Sequence, residues 1–222
     1  MIRKTLWKEQ KMFLVIYGFV LSIACCFLFF HTKADLHLAI NGAHSAFGDF
    51  FFINITHLGD GLTTIVVVII LLFFSYRKSL MIAAPFLAGG LVAQVMKRFI
   101  FNDMDRPVRY FADITELHIV EGVKLYGAHS FPSGHTASAF SLFFCLAIFV
   151  KNPPAKVVFM LLAVLVAFSR VYLSQHFLAD VVAGSLIGMM VVFPFYRWIY
   201  ASQHKWLDGS LRNFMVKTLT PS

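Results

Sequence analysis

Residues 131–150 read FPSGHTASAFSLFFCLAIFV. Pro132, Ser133 and Gly134 stand directly ahead of an apolar run, and that grouping marks the start of a helix. The run predicts a membrane-crossing helix over 134–150. Its first turn offers free backbone N–H groups and a partial positive charge, which together suit a phosphate. Ser133 can cap the helix or donate its hydroxyl. Gly134 lets an anion approach the backbone closely, and His135 then sits beside that anion.

The chain on either side has the same character. Of its 222 residues, 59% are apolar, 26 are Phe and only 14% are charged. A soluble domain carries roughly 25% charged residues. A helix needs about 20 mostly apolar residues to cross a bilayer, because its backbone polar groups must find partners within the segment. Six segments are predicted to do so: 12–30, 62–76, 80–101, 134–150, 155–173 and 177–200, the second free to start earlier. The expected fold is an all-α polytopic membrane helix bundle, a single domain over 1–222 without internal repeats. The first apolar run is too long for a cleavable signal peptide, so none is expected. Cys25, Cys26 and Cys145 lie inside apolar runs and read as small packing residues rather than a disulfide framework or a zinc site.

Lys and Arg mark the cytoplasmic side of a membrane protein. With both termini cytoplasmic, the inner segments hold Arg3, Lys4, Lys8, Lys11, Arg77, Lys78, Lys151, Lys156, Arg197, Lys205, Arg212 and Lys217, the majority of the 19 basic residues. The outer side holds Lys33, Lys97, Arg98, Arg106, Arg109, Lys124 and Arg170. Four of these, Lys97, Arg98, Arg106 and Arg170, fall at or near the membrane face of a predicted helix, where an ionisable residue suggests function. The net charge of +8 thus divides into a topology signal and a candidate anion site. No basic stripe with interleaved aromatics supports nucleic-acid binding. Two outer segments, 31–61 and 102–133, exceed ordinary loop lengths. The first contains Phe50-Phe51-Phe52-Ile53 and can hold an amphipathic interfacial helix.

Three clusters converge on the outer face. Lys97-Arg98 ends the third helix, with Arg106-Pro107 beyond it. Pro132-Ser133-Gly134-His135 begins the fourth. Ser169-Arg170 closes the fifth, followed by His176 and then Asp180 at the start of the sixth. His176 and Asp180 are four apart, hence on one helical face. A carboxylate beside an imidazole sets its tautomer and stabilises the imidazolium, which suits a nucleophile or base. Arg106 can grip phosphate oxygens bidentately. Lys97 and Arg98 are adjacent and point about 100° apart on a helix, so one of them is expected to face the pocket. Taken singly, the clusters also read as a capped helix, a surface ion pair and snorkelling basic side chains. Together they make an equipped phosphoryl-transfer site. Two smaller features stay open. His57, Gly59 and Asp60 either border the pocket or make an ordinary loop turn, and His129 either touches substrate or is a solvated loop residue.

These motifs resemble the type-2 phosphatidic acid phosphatase (PAP2) superfamily, which also includes vanadium haloperoxidases. Its pattern is a Lys and an Arg-Pro pair, then Pro-Ser-Gly-His, then Ser-Arg, five residues, His, three residues, Asp. Residues 132–135 match fully, and Ser169-Arg170, His176 and Asp180 match with the same spacing. The first motif departs: the usual six residues between Lys and Arg-Pro become eight between Lys97 and Arg106, and Lys97 is preferred over Arg98 on residue type alone. The resemblance covers roughly residues 60–195. It implies that His176 attacks phosphorus to form a phosphohistidine, that Asp180 orients it, and that His135 protonates the leaving oxygen and later activates water. Lys97, Arg106, Arg170, Ser133 and the Gly134 N–H would hold the phosphate oxygens. No metal and no cofactor are then expected. The haloperoxidase branch is typically soluble, and this chain is not.

The reading is therefore a lipid phosphatase, an integral membrane protein of a bacterial inner membrane with its site facing the periplasm or exterior. Its partners would be a phosphorylated lipid substrate and membrane lipids. Candidate substrates are a polyprenyl diphosphate, phosphatidylglycerophosphate, phosphatidic acid and a phosphorylated outer-membrane glycolipid. The same site could instead pass phosphate to another lipid. A transporter of anionic lipids would require polar residues deep in several spans, and the predicted spans are clean.

Overall fold

The computed structural model describes residue 6 and residues 8–219. Arg3, Lys4, the side chain of Lys217 and both chain termini, all used in the topology expectation, lie outside the described residues. The described chain is helical, with no strand in it. Among the described residues, nine helices carry the architecture: α1 Lys11–Phe30, α2 Lys33–Gly42, α3 Ala46–Ile55, α4 Gly61–Phe74, α5 Tyr76–Val95, α6 Gly134–Phe149, α7 Pro153–Tyr172, α8 Leu178–Phe195 and α9 Leu211–Leu219.

The helix grown from residues 131–150 is the centre of the bundle. α6 packs on α8, α7 and α5, and most of its side chains from Thr136 to Ile148 are buried. At 16 residues it is about 24 Å long, shorter than the roughly 30 Å hydrocarbon layer. A helix sheathed by others need not meet lipid along its length. The outer helices do the opposite. Phe19, Phe29, Phe74, Leu87 and Leu91 are exposed on α1, α4 and α5, an apolar rim suited to acyl chains rather than water. Among the described residues, four helices, or runs with their terminal turns, are long and apolar enough to cross a membrane, and a fifth span results if α3 and α4 count as one broken span.

That bent helix pair is the main addition to the sequence reading. The apolar stretch around Phe50 forms a helix, α3, capped by Ser45, whose hydroxyl accepts from the Gly48 N–H. It runs through a 3-10 turn, Thr56–Gly59, into α4 with a bend of 51°. A second boundary also shifts. The sequence reading ends one span at Tyr76 and leaves 77–79 between two helices, but residues 76–79 form the first turn of α5, because the Ser75 hydroxyl accepts from the Lys78 N–H and caps the helix there. At its other end α5 loosens into a π-helical turn, Met96–Ile100, closed by Phe101 N–H on the Met96 carbonyl.

α7 ends in a turn that delivers His176. The Gln175 N–H donates to the Arg170 carbonyl and the Ser174 N–H to the Val171 carbonyl, the paired bonds of a Schellman motif. Its pivot usually calls for Gly, yet here it is Ser174 at φ +52°, a conformation costing about 1–2 kcal/mol for a residue with a Cβ. α2 supplies the compensation. His37 Nε2 bonds the Ser174 hydroxyl at 3.1 Å, and Asn41 Nδ2 donates to it at 3.3 Å. Asn41 also binds both the carbonyl and the N–H of His118, tying the long 102–133 segment to the same helix.

His37 is buried, and burial lowers its pKa to about 4. An unfolded His takes up a proton below about pH 6.5. Between these values the unfolded chain holds a proton that the folded one refuses. The His37 contribution to stability is therefore intact above about pH 6.5 and lost as pH falls towards 4, to the extent of about 3 kcal/mol. The melting temperature in detergent should drop as pH is lowered from about 7 to about 5, and His37→Gln should flatten that drop.

Candidate active site

The three sequence clusters meet where α5, α6, α7 and α8 end on one side of the bundle. His176 lies in the turn between α7 and α8, and only 1% of it is exposed. Its Nδ1 is 3.3 Å from Asp180 Oδ2. The same carboxylate oxygen accepts from the Ser130 hydroxyl and, at 2.9 Å, from the Phe177 N–H at the N-terminus of α8. Asp180 is thus a helix-capping residue and an imidazole partner at once. Its bond assigns the ring proton to Nδ1 and leaves Nε2 with the free lone pair. Burial, then the positive charges of Arg106, Arg170 and Lys97, hold the His176 pKa well below its usual value. The ring is therefore neutral near pH 7, as a nucleophile must be.

The cations are placed by separate devices. The adjacent pair differ in burial: Lys97 is 8% exposed, whereas Arg98 is exposed. The π-helical turn and the loop after it take up the two extra residues before Arg106, since a π turn inserts a residue without ending the helix. Arg106 sits at the N-terminus of a single helical turn, Pro107–Tyr110. Its Nε donates to the Ala128 carbonyl at 3.1 Å, and its Nη1 to the carbonyl of Gln175 at 3.3 Å and to Gln175 Oε1 at 3.4 Å. Burial lowers its pKa, yet a guanidinium stays charged at neutral pH. Arg170 donates through Nη2 to Gln175 Oε1 at 3.4 Å and through Nη1 to Thr56 Oγ1 at 2.8 Å. Its buried Nε has no hydrogen-bond partner among the described residues.

The α6 N-terminus closes the arrangement. Ser133 is fully buried, and its hydroxyl accepts from the Thr136 N–H and the Thr136 hydroxyl, so it serves as the N-cap. A Cβ built on Gly134 would meet nothing within 4 Å. The protein's own packing does not demand glycine there, and the backbone is open to an approaching group. His135 follows, with Nε2 at 2.6 Å from Asp60 Oδ1. The His135 charge also acts on His176. His129 adopts φ +57°, a backbone pivot ahead of the motif.

The structure adds four residues to the set: Ser130 on Asp180, Gln175 between the two guanidiniums, Thr56 on Arg170 and Asp60 on His135. Asp60 belonged to one of two open readings, and its Oδ1 lies 2.6 Å from His135 Nε2. The others carry no spacing signal. Ser130 is fifty positions from Asp180, and Thr56 is 114 from Arg170. Among the described residues, no group of three or more His, Cys, Asp or Glu side chains is placed to hold a metal ion.

Comparisons with known proteins agree on one family. A model described as the PAP2 superfamily matches residues 78–204. Phosphatidylglycerophosphatase B of Bacillus subtilis is 33% identical over 153 residues, 63% of this chain and 69% of that protein. Lipid A 4'-phosphatase of Porphyromonas gingivalis is 27% identical over 187 residues, 81% of this chain and 78% of that protein. Among solved structures, LpxE of Aquifex aeolicus superposes with a TM-score of 0.65 at 27% identity, covering 76% of this chain and 96% of that one. The PAP2-type phosphatidylglycerolphosphate phosphatase of Bacillus subtilis shares the fold at a TM-score of 0.62 and 24% identity, covering 89% and 98%.

The site depends on close helix packing. A Cβ on Gly184 would collide with the Ser133 carbonyl oxygen and crowd Thr136 at 3.1 Å. Gly184→Ala should push α8 off the start of α6, destabilising the protein by roughly 1–3 kcal/mol and lowering activity. Gly90→Ala is the control, since a Cβ there meets nothing within 4 Å. It should leave the melting temperature unchanged or slightly raised. Thermal unfolding in detergent compares the two.

Proposed function

The chain belongs to the PAP2 superfamily and is a membrane phosphatase of that type, and from that premise we propose that it hydrolyses a phosphate monoester or diphosphate on a lipid at the extracytoplasmic face, through a phosphohistidine at His176 and without a metal. The observation that carries the reading is the His176–Asp180 pair, with Nε2 left free, ringed by Lys97, Arg106, Arg170 and the α6 N-terminus.

In the first step His176 Nε2 attacks phosphorus. The N–P bond forms as the bond to the lipid oxygen breaks, and His135 gives that oxygen a proton. In the second, water attacks phosphorus, His135 takes the water's proton, and the N–P electron pair returns to His176. Asp180 supports the positive charge on the ring while it carries phosphate. Lys97, Arg106, Arg170 Nε, Ser133 and the Gly134 N–H hold the non-bridging oxygens, where charge accumulates. Three cations supply the charge neutralisation that a metal provides elsewhere. Among lipids, the relatives' names favour a glycerophospholipid phosphate or a glycolipid phosphate.

The proposed architecture is one domain with six spans, counting α3–α4 as one and α6 as another, and with both termini cytoplasmic. Arg77, Lys78, Lys151, Lys156, Arg197 and Lys205 mark the inner side, and the membrane is a bacterial inner membrane. In a chain freed of Cys25, Cys26 and Cys145, K124C should react with an impermeant maleimide in cells with the outer membrane opened. K151C should react only after lysis, and the reverse pattern would invert the topology.

Phosphate release by the purified protein in detergent tests the chemistry. Phosphatidylglycerophosphate, phosphatidic acid, a lipid A phosphate and a polyprenyl diphosphate form the panel. Turnover should persist with chelator present, and His176→Ala should reduce it at least about a thousandfold. His135→Ala should impair a lipid phosphate, a poor leaving group, far more than a nitrophenyl phosphate, whose leaving group departs without a proton. Loss of activity on chelation would reject the metal-free route.

A further inference from the structure

Asp60 occupies the position ahead of α4 where an Asp ordinarily caps the helix with its side chain, yet it makes no such bond. Its carboxylate is turned the other way. Oδ1 takes His135 Nε2 at 2.6 Å, and Oδ2 takes His57 Nδ1 at 2.7 Å. A capping interaction typically worth about 1 kcal/mol has been given up for two imidazole contacts. The break that carries Asp60 is also pressed onto the site. A Cβ on Gly59 would lie 2.5 Å from Val166 Cγ1 and 3.0 Å from the His135 carbonyl oxygen, so only glycine lets the turn come this close. One turn earlier, Thr56 accepts from Arg170. Three residues of a turn outside the family's motifs thus reach two residues inside them.

We propose that Asp60 is a positioning residue for His135, fixing the ring through Nε2 so that Nδ1 faces the leaving oxygen and favouring the protonated ring that donates to it. The two histidines are then held as mirror images. Asp180 engages Nδ1 of His176 and frees Nε2, whereas Asp60 engages Nε2 of His135 and frees Nδ1, which has no protein partner among the described residues. The charged groups acting on His135 are Asp60 from the break, Arg170 from α7 and Lys97 from the end of α5. Those acting on Asp60 are His57 and His135, with Arg170 close by. Two cations oppose an imidazolium at this position. Asp60 is the carboxylate that offsets them, and an arriving phosphate adds negative charge on the Nδ1 side. His57, with a side chain 66% exposed against 33% for Asp60, holds the second carboxylate oxygen from the solvent side. A helix break that would otherwise be a loose turn therefore serves the acid–base residue.

This inference rests on the proposed function, and the test separates the two. Wild type, His176→Ala, Asp60→Asn and Asp60→Glu are assayed on a lipid phosphate and on nitrophenyl phosphate across pH. Asp60→Asn should lose about 10- to 100-fold in kcat on the lipid phosphate but less than about threefold on nitrophenyl phosphate. The alkaline limb of its kcat/KM profile should move to lower pH, because the protonated ring has lost its counter-charge. Asp60→Glu should recover part of the lipid-phosphate rate. Equal losses on both substrates with an unmoved limb would reduce Asp60 to a structural residue and overturn the inference, as would unchanged kinetics. Should Asp60→Asn fail to fold, the substrate ratio in Asp60→Glu decides: a ratio equal to wild type overturns the inference. A wild type that releases no phosphate, or a His176→Ala that remains active, would remove the underlying reading instead.

Discussion

Two buried basic side chains, Lys97 and Arg170, and a partly buried third, Arg106, gathered around one neutral imidazole set the terms for the rest of this molecule. Lys97, Arg106 and Arg170 repel one another, and taking each from water is costly. Asp180 is the carboxylate among them, and it is already committed to Ser130, the Phe177 N–H and His176. The cluster persists because each cation is held by an element fixed elsewhere: the π-helical end of α5, the helical turn after Arg106 and the last turn of α7. Gln175 lies between the two guanidiniums and offers both its carbonyl oxygens, the side-chain one to each of them. Such a cradle is unfavourable without an anion and favourable with one, which is the electrostatic form expected of a phosphate site.

The scaffold that tolerates this charge is built from small residues. α8 meets α6 through Gly184 and Gly188, each with a backbone carbonyl of α6 or its cap where a side chain would stand. Between membrane helices there is little hydrophobic drive to associate, so close backbone approach and interhelical hydrogen bonds do the work. The Ser133 N–H on the Asp180 carbonyl is one such bond, and Tyr17 to Ser185 at 3.2 Å is another. The first holds the start of α6 against the start of α8, so the phosphate-facing helix end and the His176–Asp180 pair are parts of one rigid unit. Precision in the chemistry follows from precision in the packing.

Legibility differed from one element to the next. The helices centred on α6, α7 and α8 were readable because uninterrupted apolar runs have few ways to satisfy their backbones in lipid. His135, Arg170, His176 and Asp180 were readable because each sits at a fixed offset from a helix end. Lys97 over Arg98 was a preference by residue type, and the structure buries the lysine. The start of α5 was misplaced, since Tyr76 reads as the end of the preceding apolar run and Arg77 and Lys78 look like a loop until Ser75 is seen to cap them. The bend between α3 and α4 was not anticipated, because it depends on Gly59 fitting against Val166 and the His135 carbonyl, which are remote in sequence.

By itself, the amino-acid order determined that this chain lives in a membrane, that its apolar runs are helices, and that one end of the bundle collects histidines, cations and a helix N-terminus. These are consequences of local composition and spacing, which a linear text records. Tertiary structure decided which groups touch. It turned Asp60 from a cap into a partner of His135, set Ser130 and Thr56 on residues far along the chain, and used α2 to hold Ser174 in a left-handed turn. Such contacts arise from how helices cross and how closely glycines let them approach, and no periodicity in the sequence encodes those distances.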